Sequence, residues 1–290
     1  MIPAAFEYYA PKSVPEALTL LDRYGDAAKV LAGGQSLLPM LKLRLAQLGH
    51  IVDISRIAGL DYIKEERGTV RIGAGTTETT LERSELIKTK LPILVDTTAF
   101  IGDPLVRNRA TVGGNLAHGD PANDHPAAML ALGAEVVIKG SKGERTVPIT
   151  QFFSGLFRTA VKPNELLMEV RIPVPPARSG GAYVKLERKV GDFATAGVAV
   201  QVTLAASGAF ERVGIGLTSA GPTPIKAAEA EKFLAGKQPD DATLQEAARL
   251  AAKATSPVAD RRGEVDYKRE MARVLTVRAL RAAVARAGGR

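Results

Sequence analysis

The sequence predicts an α+β protein in two parts. Two observations carry that expectation. A stretch rich in Pro, Gly and Ser, residues 173–181, divides the 290-residue chain, as a linker composition does. After it come three strand-like segments and then three helical ones, an order that segregates into an α+β domain. The first part instead mixes short strands and helices around two glycine pairs, Gly33-Gly34 and Gly113-Gly114.

In chain order, Ser13-Val14-Pro15-Glu16 has the pattern of a capping box with proline in the first turn. A helix then runs to about Tyr24 and stops at Gly25. Residues 28–31 read as a short buried strand leading into Gly33-Gly34-Gln35-Ser36, and an apolar, weakly helical run with Lys42 and Arg44 follows. Residues 50–54, 60–63 and 69–74 read as strands. Thr80 caps a short helix over 81–88, and 92–100 is apolar and helical or buried. The second glycine pair lies in what reads as a tight turn. Residues 127–132 give a helix turn or two, 135–139 a strand, and 147–153 and 166–172 complete this part. Beyond the linker, 182–189, 196–204 and 209–219 form a meander turning at Gly208. Helices follow from Thr223-Pro224 to Gly236, over 242–254, and over 265–287, the longest.

The totals exclude several classes. A hydrophobic fraction of 46% and a charged fraction of 24% are those of a globular chain, and no apolar run is long enough to span a bilayer. The first residues lack a basic region with a long apolar core, so no signal peptide is expected. The chain has no cysteine, hence no disulfide, thiolate nucleophile, zinc-thiolate site or thiolate-held iron–sulfur cluster of its own. That fits a cytoplasmic protein. Net charge is +8, and residues 261–290 hold nine basic against three acidic side chains. The excess thus sits in the C-terminal helix, either as a docking face for an acidic partner or as a solvated face. The near balance elsewhere and the 5% aromatic content argue against a nucleic-acid groove with stacking platforms.

Glycine-rich turns with free backbone amides bind anions, phosphates above all. Each pair here is followed by an amide side chain, Gln35 or Asn115, so two loops cradling one polyphosphate ligand is the expectation. Neither loop matches the usual nucleotide signatures. His118, Asp120, Asp124 and His125 cluster in sequence, but their spacing does not fit a metal motif, and no metal is expected. Ser36 has no base identified for it, and no catalytic residue is assigned. Asp124 either caps the following helix or bonds a ligand hydroxyl. Lys185 is either an exposed strand charge or a ligand contact.

Three stretches, AGGQSLLPMLKLRL (residues 32–45), ATVGGNLAHGDPANDHPA (110–127) and YVKLERKVGDFATAGVAV (183–200), resemble the flavoprotein, or medium, subunits of molybdenum hydroxylases. Aerobic carbon monoxide dehydrogenase and xanthine dehydrogenase belong to this group. The resemblance covers essentially the whole chain. It implies an FAD-binding domain of the p-cresol methylhydroxylase/vanillyl-alcohol oxidase type, residues 1–177, with subdomains of about 1–56 and 57–177. A C-terminal domain, residues 178–290, would hold a three-stranded sheet and three helices.

By the same resemblance, Ala32, Gly33, Gly34, Gln35 and Ser36 would hold the FAD pyrophosphate, and Thr111, Val112, Gly113, Gly114 and Asn115 would complete the cradle. Asp124 would bond ribityl or ribose hydroxyls, Ile101 would pack near the flavin or adenine, and Leu166 or Leu167 would contact the adenine end. Lys185 would lie near the isoalloxazine, where a cation favours the reduced anion. Phe193 would cover a ring face where relatives often carry Tyr, and Gln35 stands where they often have His.

The function implied is an electron-transfer subunit of a larger complex. A large subunit with the molybdenum cofactor oxidises substrate, a small subunit with two [2Fe–2S] clusters relays the electrons, and FAD here passes them to quinone, NAD or another acceptor. Two such heterotrimers would pair, in the cytoplasm, with any inner-membrane association made through partners. A self-sufficient FAD oxidoreductase of the same fold is the alternative.

Overall fold

A computed structural model describes residues 2–288; Arg290, counted above in the basic segment, lies outside them. The first sheet takes β1 (Glu7–Tyr9), β2 (Ala28–Leu31) and β3 (His50–Asp53) in the parallel order β1-β3-β2. Helices α1 (Val14–Tyr24) and α2 (Leu37–Lys42) connect them. The Ser13 hydroxyl accepts the Glu16 amide at 3.3 Å. The Glu16 carboxylate turns back to the Lys12 amide at 2.8 Å, one residue before the cap, so the capping box forms with its return bond displaced. α1 lays Ala17, Leu18 and Leu21 on Ala28 and Val52 of the sheet. β1 escaped the sequence reading because three residues carry no measurable periodicity.

The second sheet is antiparallel, in the order β4-β5-β10-β6-β7. It comprises β4 (Ile63–Glu66), β5 (Thr69–Gly73), β6 (Glu135–Gly140), β7 (Gly143–Pro148) and, after the small hairpin β8 (Phe153–Gly155) and β9 (Arg158–Thr159), β10 (Leu166–Pro173). The strand expected over 60–63 lies later. Leu60 instead tucks into a turn whose carbonyl accepts the Gly75 amide at 2.7 Å. Between β5 and β6 run α3 (Glu78–Arg83), α4 (Glu85–Lys90), α5 (Pro92–Ala99), α6 (Pro104–Arg107), α7 (Val112–His118) and α8 (His125–Leu132). The single helix expected over 81–88 is two, because Thr77 and Ser84 each cap a separate start, accepting from the Thr80 and Ile87 amides. All eight residues of α8 are buried, as for a helix that is apolar all round.

The third sheet is the meander β11 (Ser179–Leu186), β12 (Ala196–Leu204) and β13 (Phe210–Thr218), followed by α9 (Ala228–Leu234), α10 (Asp241–Lys253) and α11 (Val265–Ala287). A two-residue strand, β14 (Ile225–Lys226), pairs with Leu217 and Gly216. It makes the sheet four-stranded rather than three-stranded and delays the first helix from Thr223 to Ala228. α11 covers β11 and β12, and α8 packs against β12 and β13. α8 is thus sandwiched between the second and third sheets, with Asp124 and His125 at its buried N-terminus.

Candidate functional site

Three backbone segments meet where β2 ends. A Cβ on Gly33 would lie 2.0 Å from the Arg109 carbonyl oxygen, and one on Gly113 would lie 2.4 Å from the Ala74 Cβ. The glycines therefore serve close approach between backbones. Amides of Glu78, Val112 and Gly113 donate to Ala110, Thr76 and Ala74 at 2.9–3.0 Å, lacing 74–78 to 110–113. Gly34 alone of the four paired glycines has positive φ, 79°.

The two halves of the expected cradle differ. Gly113-Gly114 do not form a tight turn: they are the first turn of α7, capped by the Thr111 hydroxyl, which takes the Gly114 amide at 3.1 Å. The Asn115 amide donates to the Thr111 carbonyl. Amides 112–115 are thus engaged within the chain. Among the described residues those of Gly33, Gly34, Gln35 and Ser36 donate to no backbone carbonyl. Ser36 stands before α2 without using its side chain as a cap. Asn115 adds a buried side-chain oxygen with no partner. Buried or converging polar groups left without partners call for an external one. Four unengaged amides beside a bare amide oxygen suit a ligand with anionic and hydroxyl groups, so these residues fit a dinucleotide such as FAD.

Asp124 and Lys185 meet at the seam between the second and third sheets. Asp124 does not cap α8; it accepts from the Tyr183 hydroxyl and, at 3.2 Å, from Lys185 Nζ. Lys185 is not an exposed strand charge, for its side chain is 1% exposed. Its ammonium also donates to the Phe100 carbonyl at 3.2 Å and sits 3.3 Å from Glu187 Oε2. The ammonium thus donates to two acceptors, and Glu187 Oε2, which has no hydrogen-bond partner among the described residues, lies within ion-pair distance. Burial pushes the Asp124 carboxyl up to about 6, with Lys185 and Tyr183 opposing. Burial, with Asp124 beside it, also raises the Tyr183 phenol well above its usual value.

Among the other expected residues, Ala32 flanks the Gly33 turn and Val112 is buried below it. Ile101 is buried just past Phe100. Leu166 and Leu167 lie on β10 in different cores, Leu166 with α1 and Leu167 with the second sheet, so together they tie the first two sheets. Phe193 is 47% exposed on the β11–β12 loop. Sequence reasoning missed Tyr183 and Glu78. The Glu78 carboxylate lies 2.6 Å from His125 Nε2, both side chains fully buried; Thr80 is the cap expected from the sequence, whereas Thr77 caps the helix that Glu78 begins. Among the described residues no three His, Cys, Asp or Glu side chains are grouped to hold a metal, and no helix is long and apolar enough to cross a membrane.

Known proteins share this fold over essentially the whole chain. Residues 4–175 match the family described as "FAD binding domain in molybdopterin dehydrogenase", and residues 181–283 match the "CO dehydrogenase flavoprotein C-terminal domain". The carbon monoxide dehydrogenase medium chain of Hydrogenophaga pseudoflava is 47% identical over 286 residues, 99% of either chain. The 6-hydroxypseudooxynicotine dehydrogenase complex subunit alpha of Paenarthrobacter nicotinovorans is 38% identical, over 99% of this chain and 97% of that one. A solved structure of carbon monoxide dehydrogenase from Hydrogenophaga pseudoflava superposes with a TM-score of 0.97 at 49% identity, covering 99% of each chain. The chain belongs to the FAD-carrying medium subunits of the molybdenum hydroxylases, oxidoreductase complexes of which carbon monoxide dehydrogenase is a member.

Proposed function

We propose that the chain is the electron outlet of its complex, receiving electrons from [2Fe–2S] clusters on a small subunit and handing them to an external acceptor such as quinone or NAD. The observation that carries this is the row of unengaged amides at Gly33, Gly34, Gln35 and Ser36, in a chain without a cysteine to bind a cluster. Bound FAD supplies exchange of one or two electrons, which links one-electron clusters to two-electron acceptors. The residues position it. The 33–36 amides hold the pyrophosphate, and 111–115 form the facing wall with the Asn115 side-chain oxygen as an acceptor. Ile101 and Phe193 would flank the flavin, Leu166 or Leu167 would contact the adenine end, and Lys185 would lie near the ring with Asp124 and Glu187 offsetting its charge. Asp124, already bonded to Tyr183 and Lys185, keeps that charge in place.

Substrate oxidation takes place on a large molybdenum subunit in this reading, and substrate identity is decided there. Medium chains alike over their full length serve dehydrogenases named for carbon monoxide and for 6-hydroxypseudooxynicotine, which fits a substrate-blind relay. The test is the visible spectrum of the purified chain. FAD released by heat is expected, and carbon monoxide or an aromatic heterocycle added anaerobically should leave the flavin bands unbleached. Bleaching by the isolated chain would make it a self-sufficient oxidoreductase and overturn the relay. A chain that takes up no FAD would overturn the cradle.

A further inference from the structure

We propose that Arg262 is a positioning residue: it holds the β11–β12 loop, residues 187–195, closed against the turn at 100–102, and so limits how far solutes reach the flavin. The inference rests on the proposal that Ile101 and Phe193 flank the ring. The loop's own contacts stand independently of it. Gly191 has φ 78°, and a Cβ there would come 2.9 Å from the Gly102 carbonyl oxygen, so the loop touches the turn that carries Ile101. Asp192 accepts from Arg188 Nε at 3.2 Å, within the loop. It also accepts from Arg262 Nη2 at 2.8 Å and from the Phe193 amide at 2.8 Å. The Arg262 guanidinium in addition lies 5.8 Å from the centroid of the Phe193 ring.

Arg262 comes from the α10–α11 connection, where its own amide is tied to Asp260 at 2.7 Å. It is therefore a brace from outside the loop, gripping both the carboxylate and the aromatic ring beside it. Arg188 cannot replace it, because a contact four residues away within one loop does not anchor that loop to anything else. The guanidinium beside it holds the Asp192 carboxyl down at about 2, so the pair is charged at neutral pH. Phe193 is half exposed and has no hydroxyl to anchor itself, which leaves its placement to Asp192 and Arg262. A fork that bonds a carboxylate and stacks on a ring is a task for arginine rather than lysine.

The experiment is iodide quenching of flavin fluorescence in the FAD-loaded full-length chain. Loss of one partly exposed ion pair and one cation–π contact should raise the open fraction, and the quenching slope, about fivefold in Arg262→Ala. Arg262→Lys should fall between the two, keeping the ion pair and losing the flat stack. FAD content and melting temperature are measured alongside. Arg262→Ala that keeps its FAD and quenches like the parent overturns the proposal. Should that variant fail to fold, Asp192→Ala removes the other end of the brace, and an unchanged slope there overturns it equally. A parent chain that takes up no FAD counts against the cradle, and a loaded one with unchanged slopes counts against the brace alone.

Discussion

Asp124 is a carboxylate kept in a place that disfavours its charge. It is 6% exposed, and burial outweighs Lys185 and Tyr183 in setting its pKa at about 6, above the usual 3.8. The native protein therefore binds an extra proton between about pH 4 and pH 6, and the stability this provides is lost as pH rises through that window. A shift of about two units corresponds to a contribution on the order of 3 kcal/mol. Asp124→Asn removes the term, keeps one oxygen for Lys185 and turns its NH2 toward the Tyr183 hydroxyl, which can accept. At pH 7 the variant should be more stable than the parent by up to that amount, with the gain vanishing near pH 4. Urea midpoints across that range check it, and a variant clearly weaker than the parent at pH 7 would show that the ion pair wins.

At the scale of elements, α7 turns an ordinary rule around. An alanine inside a helix is favoured over glycine by roughly 0.5–1 kcal/mol, so Gly113→Ala in isolation should stabilise. Here the new methyl would meet the Ala74 Cβ at 2.4 Å, and overpacking of that kind costs about 1–3 kcal/mol. Gly113→Ala should unfold at lower urea and hold less flavin per chain, and adding Ala74→Gly should restore part of both. A more stable Gly113→Ala would mean the contact yields freely.

The same helix marks where sequence reasoning ends. Elements with local signals could be read directly: α1 from Ser13 and Glu16, β12 and β13 from their apolar runs, α11 from its spacing. The Gly113 pair could not, since two glycines look alike whether they serve a turn or a close helix–strand contact. Lys185 was ambiguous for a similar reason. Its acceptors Phe100 and Asp124 lie 85 and 61 positions away, and burial of one charge by partners that distant leaves no pattern in its own neighbourhood. Glu78 and Arg262 owe their roles to contacts 47 and 70 residues off.

On the scale of the whole molecule, the basic excess of the C-terminal helix looks different once folded. Along α11, Arg269 pairs with Asp266, Arg273 with Glu270, Arg281 with Asp241 and Arg286 with Asp96. These charges are largely answered within the chain, two of them from outside α11, so the helix is fastened to α5 and α10 as well as to its sheet. Arg278 is exposed and, among the described residues, in no ion pair. If α11 is the face that meets an acidic surface of a partner subunit, Arg278 is where the attraction is unshared. Reversal at Arg269 or Arg273 would also break internal pairs, each worth about 0.2–1 kcal/mol, and blur the reading. Arg278→Glu breaks none. Charges at the rim of an interface act mainly on association rate and its salt dependence. Co-expressed with its partner subunits, the variant should assemble more slowly and co-elute with less of them, most clearly at low salt, where screening is weakest. Its FAD content and melting temperature should match the parent. Assembly at the parent's rate at every salt concentration would make α11 a solvated face whose charges serve the fold alone, and would move the docking surface elsewhere on the chain.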